Sequence, residues 1–111
     1  FAPYLTTLRE EEWEFIGPHA VPVVVGPEAT FTRVQLTNYL EKNGIETRNL
    51  FQSMPTQCPG FAYLGHQLGE FPEAEYIGVN GLHIGCHQDL TTEHMAYFLQ
   101  VVERFLTEYQ K

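Results

Sequence analysis

Basic residues are scarce in this chain: six lysines and arginines stand against fourteen aspartates and glutamates, giving a formal charge of −8. A field of that sign repels phosphate backbones and anionic lipid, so nucleic acid and membrane surfaces are poor partners. Cysteine is almost missing. Cys58 and Cys86 could form one bridge, but that density is far below that of disulfide-framed secreted domains, and free thiols in a reducing cytoplasm are expected. No apolar run approaches the roughly 20 residues of a spanning helix, and the N-terminus lacks the basic-then-apolar layout of a signal peptide. Phe1 stands where a methionine would open a reading frame, so the chain reads as cut from something longer. There is no internal repeat, no low-complexity segment, no Gly-rich phosphate loop after a strand and no serine in an elbow motif. A self-sufficient catalytic set is not expected in this segment.

What is present suits one small domain: 111 residues, 43% hydrophobic and 14% aromatic, are enough for a single core. Residues 1–12, ending in Glu10-Glu11-Glu12, read as a solvated lead-in, a loop or frayed turn. Ala20 to Val25 is short, apolar and β-branched between two Gly-Pro breakers, which predicts a strand, with Pro22 placing it at an edge or in its first residues. The clearest element follows. Thr32 and Gln35 fit a capping box, Phe31 and Leu36 fit a hydrophobic staple, and Gly44 with Ile45 fits a Schellman ending, so a helix is predicted near 32–43. Thr47 to Phe51 then runs extended. Between Gln52 and Gly69, prolines and glycines predict a long loop with one helical turn at Phe61 to Leu68. Phe71 to Gly81 carries a proline at the first helical position and acids in the first turn, predicting a helix of about two turns. Leu82 to Cys86 alternates as a half-buried strand. Met95, Phe98, Leu99, Val102, Phe105, Leu106 and Tyr109 recur at helical spacing over 91–109. The expected fold is α+β, a small, largely antiparallel sheet covered by helices, with Leu36, Leu40, Ile84, Phe98, Leu99, Val102 and Phe105 buried.

Five histidines invite a metal reading, but only His83-x2-Cys86-His87 is clustered, and on a strand His83 and Cys86 point to opposite faces. No metal site is expected. Cys86 with His87 fails as a nucleophile and base for the same reason, since neighbours on a strand diverge. Arg48 is the most informative charge: a guanidinium just after a helix-to-strand turn can grip a carboxylate or phosphate, or form an interdomain or surface salt bridge. Phe51, Ser53, Met54 and Gln57 on the adjoining loop could wall a substrate or cofactor, or simply pack as an Ω-type loop. His83 joins them as a strand residue facing a cleft.

The runs Asn43-Gly44-Ile45-Glu46-Thr47-Arg48-Asn49-Leu50-Phe51, Met54-Pro55-Thr56-Gln57, Gly69-Glu70-Phe71-Pro72-Glu73-Ala74-Glu75 and Gly81-Leu82-His83-Ile84-Gly85-Cys86-His87-Gln88-Asp89-Leu90-Thr91, in that order, resemble the C-terminal domain of the DegT/StrS-type sugar aminotransferases. The resemblance covers about residues 13 to 109. It implies that residues 13–111 are the small domain of a pyridoxal-phosphate enzyme of aspartate-aminotransferase fold acting on nucleotide-linked keto-sugars, with glutamate as amino donor, as a cytoplasmic homodimer. The Schiff-base lysine, the aspartate on the pyridinium nitrogen and the phosphate cup would all belong to a large domain outside this chain. Many members carry Arg-Pro where this chain has Arg48-Asn49, and a longer His- or Asn-bearing segment in place of Gln52-Ser53-Met54-Pro55. The Ser-Met-Pro-Thr-Gln form resembles a branch with perosamine-synthase-like transaminases, and a neighbouring branch holds sugar 3-dehydratases. A competing reading, from a different class, is a stand-alone, non-catalytic binding module.

Overall fold

The computed structural model describes residues 1–50 and 54–110. Four strands, β1 (Leu5–Thr7), β2 (Ala20–Val25), β3 (Thr47–Asn49) and β4 (Gly81–Gly85), form one sheet in the order β1-β2-β4-β3. Every neighbouring pair is antiparallel. Three helices, α1 (Arg33–Lys42), α2 (Pro72–Asn80) and α3 (Thr92–Tyr109), and two 3₁₀ turns, Pro55–Gln57 and Pro59–Leu64, complete the fold. It is the expected α+β arrangement.

The local signals of α1 are all realised. Thr32 and Gln35 form the reciprocal capping box, and Phe31 and Leu36 are both buried at the helix start. At the other end the Ile45 amide donates to the Leu40 carbonyl at 3.0 Å and the Gly44 amide to Glu41 at 3.0 Å, the two bonds of a Schellman motif. Gly44 holds φ of 75°, which a side chain would strain. In α3 the same box recurs with a histidine: Thr91 caps the His94 amide, and His94 Nδ1 accepts from the Thr91 amide at 3.1 Å.

Four sequence expectations change. Residues 1–12 are not a plain loop, because Leu5–Thr7 pairs with Val23 to Val25 and the Gly26 amide donates to the Tyr4 carbonyl at 2.8 Å. Three residues are too few for a visible period. As a result β2 is an interior strand, and Pro22 is accommodated because β1 ends opposite Val23, where the Thr7 hydroxyl donates to the Pro22 carbonyl at 2.7 Å. β3 stops at Asn49, short of the expected Phe51, which lies outside the described residues. The loop over 55–64 is mostly 3₁₀ turn, each piece opened by a proline.

The core is Val23, Val25, Phe31, Leu36, Leu40, Leu82, Val101, Val102 and Phe105. Ile84 and Phe98 pack against it half-buried. Leu99 was expected inside and is 48% exposed. Six residues at about 100° each put it roughly 120° round the helix from Phe105, whereas Val101, which no expectation included, falls on the core side. Phe105 is the hub: its ring lies 4.8 Å from Phe31, 5.2 Å from Tyr39 and 4.5 Å from Tyr109. Phe105→Ala is therefore expected to cost about 3 to 5 kcal/mol in a denaturant titration, and Leu99→Ala less than about 1 kcal/mol. Equal losses would contradict this placement. His94→Gln should preserve the stability of α3 and His94→Ala should lose about 1 kcal/mol, read by the same titration.

Candidate functional site

The outward face of the sheet is set by how α1 grips β3. Glu41 accepts from the Thr47 amide at 2.6 Å and from its hydroxyl at 2.9 Å, and Arg33 Nη1 donates to Asn49 Oδ1. Alternate residues of a strand share a face, so tying Thr47 and Asn49 to α1 turns Arg48, between them, to the opposite side. Register does the rest. Arg48 stands directly across from His83, and His83 from Pro22. His19, just before β2, brings its ring to 6.4 Å from that of His83 in an edge-on arrangement.

These residues line a hollow of about 400 Å³ with Ala20, Glu46 and Gly85. Arg48 Nη2 reaches Glu46 Oε1 at 3.1 Å, with side chains 74% and 77% exposed. Ion pairs this open are weak, so the guanidinium is available to a better partner. Of the sequence candidates, Arg48 and His83 come together, while Phe51 and Ser53 lie outside the described residues. His19 and Glu46 were missed as members. Glu46 could have been found from its position two residues before Arg48 in an extended segment, whereas His19 enters only through the pairing of Ala20 with Gly85.

Met54 and Gln57 belong to a second constellation. The Met54 carbonyl accepts from the Gln57 amide at 2.9 Å and from Cys58 Sγ at 3.4 Å. Gln57 Nε2 donates to Glu75 at 2.7 Å and to the Gln67 carbonyl at 2.9 Å. The Glu75 carboxylate also accepts from the amides of Gly69 at 2.8 Å and Phe71 at 3.3 Å. Phe71 caps α2 without a side-chain bond, and Glu75 reaches back from within the helix to the amides just before it and ties the loop down. The Gln57 side-chain bond and then the Gly69 amide hold its carboxyl below the usual 4.5. His66 does the same for Glu70, at 2.9 Å. Cys58 and Cys86 are not disulfide-bonded, and no group of three or more metal-ligating side chains converges among the described residues. No described helix is long and apolar enough to cross a membrane.

The sequence profile of the DegT/DnrJ/EryC1/StrS aminotransferase family matches residues 2–103. The chain belongs to this family. Lipopolysaccharide biosynthesis protein RfbH of Salmonella typhimurium is 31% identical over 85 residues, which is 76% of this chain and 20% of that protein. A dTDP-4-dehydro-2,6-dideoxy-D-glucose 3-dehydratase of Saccharopolyspora spinosa is 24% identical over 98 residues, 82% of this chain and 21% of that one. The fold matches a protein named as a candidate sugar aminotransferase, Spr1654 of Streptococcus pneumoniae in its apo form, with a TM-score of 0.73 and 20% identity over 97% of this chain and 28% of the other. The chain thus spans about a fifth of the length of these curated relatives.

DegT-family aminotransferases generally use pyridoxal phosphate, and the described residues do not fit as its seat. Lys42 is exposed at the end of α1, and no lysine lines the hollow at Arg48 and His83. No step through the cofactor can be assigned to these side chains.

The Glu75 lock has a defined pH dependence. A carboxyl with a depressed folded pKa contributes stability that is fully present above its unfolded value and is lost as pH falls through the folded one. The amide resonances of Gly69 and Phe71 should therefore titrate together with a midpoint below 4.5. Glu75→Ala should abolish that titration and speed amide exchange at both positions; a midpoint above 4.5 would contradict the lock.

Proposed function

We propose that this chain, β1 included, is the C-terminal small domain of a pyridoxal-phosphate-dependent aminotransferase acting on nucleotide-linked keto-sugars. The biosynthetic setting is a surface polysaccharide or a glycosylated metabolite. The observation that carries this reading is the family match over residues 2–103. A lipopolysaccharide-biosynthesis relative and a nucleotide-sugar relative support the substrate class. The full-length enzyme works as a cytoplasmic homodimer with glutamate as amino donor, and the segment alone is inactive. A second reading, a nucleotide-sugar 3-dehydratase, is supported by the 24% identical relative named for that activity.

The role of this domain is to present Arg48 and its neighbours to the substrate side of the enzyme, with Phe51, Ser53, Met54 and Gln57 on the adjoining loop. A guanidinium offers a fixed fork that an ammonium cannot reproduce. In the full-length enzyme, supplied with glutamate and a nucleotide-linked keto-sugar, transfer of nitrogen to the sugar separates an aminotransferase from a dehydratase, which releases water instead. Arg48→Lys should lower kcat/KM by about tenfold or more with Tm unchanged. Wild-type kinetics in a stable Arg48→Lys enzyme would remove Arg48 from substrate duty, and a fall in Tm alone would make it a strut.

A further inference from the structure

We propose that His19, Arg48 and His83 form a phosphate site on the outward face of the sheet. This rests on the reading above only for the source of the ligand, the phosphates of a nucleotide-linked substrate; the site itself rests on geometry. Three nitrogen-bearing side chains from three separate segments, the approach to β2, β3 and β4, line one hollow of about 400 Å³. Its remaining wall is small: Ala20 and Gly85 leave it open, and a Cβ added at Gly85 would meet nothing within 4 Å. Room and donors coincide.

The shape of the anion decides between oxyanions. A carboxylate's acceptor sites lie in one plane, and the edge of the Arg48 guanidinium, in taking two of them, shares that plane. A tetrahedral phosphate presents further oxygens away from the guanidinium plane, where the N–H groups of His19 and His83 can donate. Glu46 supplies the resting partner. Its carboxylate holds Arg48 at 3.1 Å while both side chains remain mostly exposed, and an arriving dianion takes its place on the fork. In a chain of net charge −8 the hollow is a local concentration of groups able to carry positive charge, with Glu46 the acidic group that faces it.

The test is a titration of this chain with inorganic phosphate, followed by the imidazole carbon-bound proton resonances, with acetate as the counter-probe. The His19 and His83 resonances should shift saturably with phosphate, and those of His66 and His94, which lie in the Glu70 pair and the α3 cap, should stay in place. Arg48→Gln should weaken phosphate binding by about tenfold, and His19→Gln and His83→Gln by about threefold each. Arg48 is exposed, so its replacement leaves the core intact. Acetate acting on the same two histidines with equal affinity would overturn the assignment to phosphate. Equal, non-saturating shifts at all histidines, or full phosphate affinity in Arg48→Gln, would overturn the site. Such a failure leaves the aminotransferase reading standing, since that is decided by nitrogen transfer in the full-length enzyme.

Discussion

Phe105 is the constraint on which the rest depends. Its ring stacks on Tyr109 one turn along α3, meets Phe31 edge-on at the start of α1 and leans on Tyr39 from the middle of α1. Aromatic contacts of this kind have preferred geometries, so they fix the angle between helices as well as bury area. With that angle set, Leu36 and Leu40 on α1 and Val101 and Val102 on α3 close over Val23, Val25 and Leu82 of the sheet. One face of the sheet is thereby committed to the core, and the other carries Arg48 and His83.

Polar bonds then finish what packing begins. Glu41 and Arg33 reach from α1 to Thr47 and Asn49, and they orient a strand of only three residues that its own pairing would hold loosely. Asn49 has a specific use here: a proline in its place would have no side-chain oxygen for Arg33. At the far end, Thr30 donates to the Tyr109 carbonyl at 2.8 Å and its amide to Gln110 at 3.1 Å, which fastens the end of α3 to the turn before α1. Helix ends, not helix middles, carry most of these locks.

Much of the fold was legible because its signals are local. The capping box at Thr32, the Gly44 ending, the proline at the head of α2 and the three-and-four spacing of α3 each lie within a few residues, where steric rules act directly. What could not be read was set by pairing across the chain. β1 was invisible because three residues carry no period; its pairing makes β2 interior, which leaves Pro22 in the first half of the strand as the alternative to an edge. Leu99 was misplaced because an apolar residue at the border of a stripe satisfies the same spacing as one at its centre. In the candidate site, Arg48 and His83 were legible by type and by strand phase. Their adjacency and the entry of His19 depend on a register spanning dozens of residues, and the diversion of Gln57 to Glu75 on a side-chain bond across 18.

The junction between α2 and β4 has a mechanical meaning. Asn80 ends the helix and Gly81 begins the strand, with no linker between them. A Cβ at Gly81 would lie 2.5 Å from the Ile77 carbonyl and 3.0 Å from Leu50, so the helix end, the strand and the segment after β3 meet in a joint with no slack. The 54–71 loop is fastened by Glu75 to the same helix. The loop, through Glu75, and the hollow, through His83 and Gly85 of β4, thus attach to the two sides of one linkerless joint.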